Sequence, residues 1–375
     1  MFAQDWQNGT SFPDNSRDDG VAFSINNVGY FGTGRDNDFK DYNDWWKYEN
    51  GIWTEVSPLP GIERQYCSSF VIDGIGYLIG GRSKFGKPLN ELWQYNPSTD
   101  TWTQKADVPN SGRYSAIGFS INDYGFFGTG TNSDSCFADF WKYNPQTDIW
   151  TEVAPFPRKQ FESVEFIIGG DGFVGLGIDL DLNYFNEFWK YHFASDEWIA
   201  IASLPTDGRK HSKAEACGTK ALVVGGQTES KFVSECWQYN SVENSWGKIS
   251  SLPSTPIRGM ASFRINNEVY FVNGLDSSQT RSNKIWKYKL ENEELENPII
   301  IYPNPTSEFV NIDFSRITPS TSQLTIFDFA GKLIFTQQRS NNFMQVDISI
   351  FPQGVYFFVF ETEEKAYLKK VVVTN

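Results

Sequence analysis

Short apolar runs separated by polar turns fill most of this chain. Val21-Ala-Phe-Ser-Ile25 is followed by Asn26-Asn27 and a second run, Val28-Gly-Tyr-Phe-Gly32. Ile72-Asp-Gly-Ile75 repeats the turn between two further runs. Asn, Asp and Gly accept the positive φ of tight hairpins, so each pair of runs predicts two antiparallel strands. The second run closes on glycine or a near-pair: Gly32-Thr-Gly34, Gly80-Gly81, Gly128-Thr-Gly130, Gly175-Leu-Gly177, Gly225-Gly226 and Asn273-Gly274. A variable polar loop then leads to a third strand carrying Trp-x-Tyr, and turn residues lead to a second tryptophan on a fourth.

The third-strand tryptophans are Trp46, Trp93, Trp141, Trp189, Trp237 and Trp286, with steps of 47, 48, 48, 48 and 49 residues. The fourth-strand series is Trp53, Trp102, Trp150, Trp198 and Trp246. Four short strands per unit of about 50 residues is the pattern of a propeller blade. Trp286 has no second tryptophan after it, whereas Trp6 lies 47 residues before Trp53. The spacing therefore predicts six blades, with the N-terminal strand completing the last and closing the ring, which removes two exposed sheet edges.

The units resemble the kelch repeat, on the residues Tyr77-Leu-Ile-Gly80-Gly81, Asn90-Glu91-Leu92-Trp93-x-Tyr95 and Trp102. The resemblance covers residues 1–290 and implies a six-bladed kelch β-propeller, all-β. No Gly-His…Trp-Asp pattern points to WD repeats. Beyond an acidic linker at 291–297, holding Glu291, Glu293, Glu294 and Glu296, the repeat stops. Residues 298–375 predict a small antiparallel β-sandwich. This segment is similar to the C-terminal sorting domain of the type IX secretion system (type A). The matching residues are Tyr302-Pro303-Asn304-Pro305, Asp328-x-x-Gly331-Lys332, Asp347-Ile348 with Gly354-Val355-Tyr356, and Lys369-Lys370 before the terminal valines. The resemblance implies the type IX machinery as a partner, with release or attachment at the surface of a Gram-negative bacterium.

That route begins with a signal peptide. Met1-Phe-Ala-Gln-Asp5 shows neither a basic nor an apolar region of that kind, so the expectation is a mature or truncated form. No apolar run is long enough for a transmembrane helix. Net charge is −14, from 46 acidic and 32 basic residues, which repels phosphate backbones and argues against nucleic acid. Only His192 and His211 could supply imidazole, and Cys67, Cys136, Cys217 and Cys236 lack metal-ligand spacing. No metal and no cofactor are expected. The cysteines read as small buried hydrophobes, with a Cys217–Cys236 disulfide left open.

Candidate chemistry begins with six arginines after the Pro-containing turns: Arg17, Arg64, Arg113, Arg158, Arg209 and Arg258. Each precedes the glycine, or Asn273, by 15 to 17 residues, which places all six at one blade position facing the channel. Two readings follow. Such a ring suits carboxylates or sulfates through bidentate bonds. Alternatively, every arginine bonds blade carbonyls and holds the blades in register. Trp45, beside Trp46, is an extra aromatic that strand alternation should turn outward, a tentative ligand contact. Phe39, Tyr42, Phe137, Tyr184 and Phe185 lie in the variable loops, where recognition usually resides. Asp36, Asp38, Asp41 and Asp44, with Asp179 and Asp181, read as a solvated acidic surface rather than a calcium loop. His192 and His211 look isolated, and no catalytic motif is present.

These observations predict an exported kelch propeller that binds a protein or glycan through its loop face without catalysis. The rival reading is a carbohydrate-active enzyme of the kelch sugar epimerase or mutarotase kind.

Overall fold

In a computed structural model, the structure describes residues 6–290, 299–313, 323–338, 343–361 and 366–374, and those residues contain strands but no helix. The linker expected at 291–297 lies outside the described residues. The chain divides into two compact units, residues 1–291 and 292–375.

The first unit is a β-propeller built from four-stranded antiparallel sheets. Blade one contains Val21–Ile25, Val28–Gly32, Trp45–Glu49 and Ile52–Val56. Blades two to five begin with the inner strands Ser68–Ile72, Ile117–Ile121, Val164–Ile168 and Lys213–Cys217. The sixth sheet joins Ala261–Ile265, Glu268–Val272 and Ile285–Lys289 to the N-terminal strand Trp6–Asn8, with Trp6 opposite Tyr288. The six inner strands neighbour one another in turn, and Ala261–Ile265 lies beside Val21–Ile25.

Local chemistry explains the hairpins. Asn26 and Asn27 both adopt positive φ, 50° and 62°, as a type I′ turn demands. Between blades, each outer-strand tryptophan donates from Nε1 to a carbonyl on the preceding blade: Trp102 to Ser57, Trp150 to Ala106, Trp198 to Ala154 and Trp246 to Ala202, at 2.8 to 3.0 Å. Trp6 makes the same bond to Ser250 at 2.9 Å, and so occupies the outer-strand tryptophan position of blade six.

The second unit packs a three-stranded sheet (Ile300–Tyr302, Phe309–Asp313, Phe343–Asp347) and a four-stranded sheet (Leu333–Gln338, Gln323–Asp328, Gly354–Glu361, Ala366–Val373) around Val310, Ile326, Phe358 and Val371. Asn304 donates from Nδ2 to Lys370 O at 2.9 Å and accepts from Val372 N at 2.8 Å, tying Tyr302-Pro303-Asn304-Pro305 to the final strand that carries Lys369 and Lys370. Gly331, at φ 80°, completes a turn capped by Asp328, whose Oδ1 accepts from the backbone N–H of Ala330 and Lys332. Past Gly354, Tyr356 donates to Pro352 O at 2.8 Å.

Candidate functional site on the propeller axis

The arginine ring divides. In four blades the guanidinium is fully buried and fixed twice. Arg17, Arg64, Arg113 and Arg209 each donate from Nη1 to the carbonyl where their own second strand ends: Thr33, Gly80, Thr129 and Gly225. Each also pairs with the carboxylate two residues before the third-strand tryptophan of its own blade. Arg113 grips Asp139 at 2.6 and 2.9 Å, and the same Asp139 accepts from Trp141 Nε1 at 2.8 Å. Arg17–Asp44, Arg64–Glu91 and Arg209–Glu235 repeat the unit. These four arginines are structural clamps, each held by a carbonyl and a carboxylate inside the blade, while Nε of Arg113 and of Arg209 is buried without a partner.

The expectation of one shared position for all six is corrected for Arg158 and Arg258. The residue at that position is identified by its carbonyl, which accepts from the glycine N–H of the preceding blade. That residue is Gln160 in blade four and Ile257 in blade six. Arg158 reaches in from two residues earlier, donating from Nε to Gln160 at 2.7 Å and pairing with Glu187 at 3.1 Å. Arg258 stands one residue later and faces the axis. The spacing allowed these shifts because arginine at neighbouring positions satisfies the same sequence window.

Trp45 is also corrected. It is fully buried, packing 5.5 Å from Phe23 and edge-on to Trp102 at 5.2 Å. A third strand is covered on both faces by neighbouring blades, so alternation gives it no outward side. Tyr42, Phe137 and Phe185 are likewise engaged, lying 4.0, 4.2 and 3.8 Å from Arg17, Arg113 and Arg158. Phe39 is 70% exposed, with the Arg281 guanidinium 5.6 Å from its ring. Asp36 and Asp179 cap the backbone of their own loops, and among the described residues no acidic or imidazole cluster is arranged for a metal. Cys67, Cys136, Cys217 and Cys236 are thiols, and Cys217 and Cys236 are not joined in a disulfide.

The axis itself carries a set that sequence reasoning missed. Two residues beyond the clamp position stand Asp19, Tyr66, Ser115, Glu162, His211 and Gly259, all with φ between 51° and 64°. Their backbones close a ring: Tyr66 N donates to Asp19 O, Ser115 to Tyr66, Glu162 to Ser115, His211 to Glu162, Gly259 to His211 and Asp19 to Gly259, at 2.9 to 3.3 Å. A second ring encloses it, running from glycine N–H to clamp carbonyl and returning through Gly274 N to Arg17 O at 3.0 Å. Left-handed backbone costs a non-glycine residue of order 1 kcal/mol or more, and such outliers gather at functional sites. Here five side chains of different chemistry bear that cost on one repeated backbone.

Because strands alternate in direction, the entry to each inner strand and the loop between second and third strands emerge at the same end. The axial side chains therefore form the floor of the variable-loop face. Beneath them lies a cavity of about 90 Å³, also lined by Ser68, Glu165 and Lys213. A larger space of about 340 Å³ shares Ser69, Glu165 and Lys213 and continues down the channel.

Electrostatics concentrate at His211. Its Nε2 lies 3.1 Å from Glu162 Oε1 and its Nδ1 3.5 Å from Asp19 Oδ1, while the ring packs 5.8 Å from Tyr66. Lys210 Nζ approaches Glu162 Oε2 to 3.1 Å as an ion pair without a directed hydrogen bond. Burial would push the Glu162 carboxyl up, yet His211 and Lys210 outweigh it and hold the group down at about 2. Burial pushes the Asp19 carboxyl well above the usual range, reinforced by Asp18. Burial lowers His211, against the pull of Glu162. The site thus combines an ionised carboxylate, a carboxyl that resists ionisation, an imidazole and a phenol in one small polar space. That set can donate and accept hydrogen bonds, and it has the chemistry for proton transfer.

The comparisons agree with this architecture. Residues 63–109 and 208–253 match the model of the Kelch motif. The propeller is therefore of the kelch type. Residues 300–374 match the secretion system C-terminal sorting domain, so the chain is a kelch-repeat propeller followed by a type IX sorting domain, the mark of an exported protein. Among solved structures, one described as "Structure of YjhT" superposes with a TM-score of 0.65 at 16% identity, covering 73% of this chain and 95% of that one. At that identity the likeness shows the fold alone. Curated proteins give no match.

Proposed function

We propose that this exported propeller is a binding module that holds a protein or glycan over its axial residues on the variable-loop face. One observation carries the reading: a backbone position repeated in every blade presents Asp19, Tyr66, Ser115, Glu162, His211 and Gly259, so the scaffold is constant while the chemistry differs. Recognition needs such asymmetry, and the clamp arginines, spent on carbonyls and carboxylates, do not supply it. The sorting domain directs type IX export, with surface attachment as a further possibility of that route. A glycan array together with a cross-linking screen against cell-surface proteins tests the binding claim. Binding by the wild type that persists unchanged in Tyr66→Asn and His211→Asn would sink it. Asparagine is chosen because it tolerates the left-handed backbone.

The position of His211 between Glu162 and Asp19 supports a second reading, a carbohydrate-active enzyme of the epimerase or mutarotase kind that uses these groups as acid and base. Turnover of sugars by the wild type, abolished in His211→Asn with folding intact, would favour it over simple binding.

A further inference from the structure

The four-stranded sheet of the second unit is apolar on both faces. Residues directly opposite in antiparallel strands share a face. Ile326, Phe358 and Phe360 point into the core, and the alternate residues point out. One outward row runs Leu333, Phe327, Phe357, Lys370. Val355 and Val359 flank Phe357 on that side, and Glu361 follows Val359. Leu333 is 55% exposed, and Phe327, Val355, Phe357 and Val359 are each partly exposed. The three-stranded sheet of the same sandwich differs. Phe309 excepted, its outward positions hold Asn311, Gln345 and Asp347, with Gln345 donating to Asn311 at 3.0 Å. An antiparallel sheet with one wet face alternates apolar and polar residues, whereas Gly354-Val-Tyr-Phe-Phe-Val-Phe360 is an unbroken apolar run, as in a strand covered on both sides.

We infer that this face packs against the same face of a second copy of the chain, giving a two-fold dimer. Its charges point to that occupant. Lys370 stands opposite Phe357, and Glu361 lies four residues further along the Phe357 strand, roughly 13 Å at about 3.3 Å per residue. Val359 marks the middle. A two-fold axis crossing the strands there sets Val359 against itself and brings the Lys370 end of each copy over the Glu361 end of the other. Two-fold interfaces require such self-complementarity. Sheets stacked about 10 Å apart leave a lysine and a glutamate within reach of each other. Residues 298–375 carry seven acidic and six basic side chains, a net −1, so the sorting domains repel each other little. The other −13 of the chain's −14 lies outside the segment and is largely screened beyond about 8 Å at physiological salt. Four strands of six to eight residues present roughly 20 by 25 Å, so two copies bury about 1,000 Å², the size of a weak, reversible association.

Sedimentation velocity of the full chain at roughly 1 to 100 µM, which brackets a micromolar Kd, tests this and should show monomer passing to dimer. Phe357→Lys should leave monomer alone, with circular dichroism and thermal unfolding checking that the fold survives. Lys370→Glu and Glu361→Lys should each weaken dimerisation by about tenfold or more, because like charges then face each other. The double variant, with both charges exchanged, should recover to within about threefold of wild type. If Phe357→Lys fails to fold, the charge variants alone decide. A chain that stays monomeric at the highest concentration overturns the inference, including the case in which Phe357→Lys blocks export and gives the face to the secretion machinery. Dimerisation unchanged in a folded Phe357→Lys, or a double variant no stronger than its single parents, overturns it as well.

Discussion

His211 Nε2 lies 3.1 Å from Glu162 Oε1, joining neighbouring blades at the mouth of the propeller axis. The pH dependence of stability follows from this pair. Glu162 has a folded value of about 2 against an ordinary 4.5, so its contribution is full above 4.5 and is lost as pH falls toward 2. His211 is lowered from 6.5, so below that pH the unfolded chain takes up a proton that the folded protein resists, and stability falls. Asp19 is raised, which opposes folding at neutral pH and is relieved by acid. Chemical denaturation should show stability declining from pH 7 to pH 3. His211→Asn should flatten the upper part of that decline and Glu162→Gln the lower part. Superimposable curves for wild type and both variants would refute the assignment.

The clamp arginines should behave as structural parts. Arg113→Ala leaves Asp139 without its cation and should cost roughly 2–4 kcal/mol, below the upper range for breaking a buried pair because Asp139 is partly exposed. Arg158→Ala, whose partner Glu187 is more open, should cost less than half as much. Urea unfolding monitored by tryptophan fluorescence checks the ranking, and equal costs would contradict it.

Trp45→Ala should destabilise the propeller by about 3–5 kcal/mol, the usual penalty for removing a buried tryptophan, without changing ligand affinity in the folded fraction. A loss of affinity with unchanged thermal midpoint would return Trp45 to the binding surface.

Removing residues 1–8 should destabilise blade six far more than an ordinary terminal trim, because it deletes the strand opposite Ile285–Lys289 and the Trp6–Ser250 bond. Differential scanning calorimetry should show the propeller transition falling by several degrees. An unchanged transition would mean that the strand contributes little.

Export has its own test. A precursor lacking residues 300–374 should accumulate inside the cell envelope, and normal appearance of the propeller outside the cell would contradict the sorting role.

The sheets were legible because Trp, Tyr and Gly recur at nearly constant spacing, and each does the same packing job in every blade. Trp6 could be assigned from the same arithmetic. The axial site was not legible for the converse reason. Asp19, Tyr66, Ser115, Glu162 and His211 share a backbone conformation but no common side chain, so they leave no repeat to find. The available signal was slight: Gly259, at φ 64°, marks a left-handed position that the other copies fill with larger residues. Spacing also misled at the clamp. Arg158 and Arg258 fall inside the window that Arg17, Arg64, Arg113 and Arg209 define, while Gln160 and Ile257 occupy the position itself. Trp45 was misjudged because alternation has no solvent side on a strand enclosed by two blades.

The central claim is that ligand sits on the axial residues. Its most direct measurement is the affinity of Tyr66→Asn, beside wild type, for whichever glycan or protein the screens identify. The account predicts at least tenfold weaker binding with an unchanged thermal midpoint, since the backbone ring is kept. Equal affinity in the two proteins would contradict it.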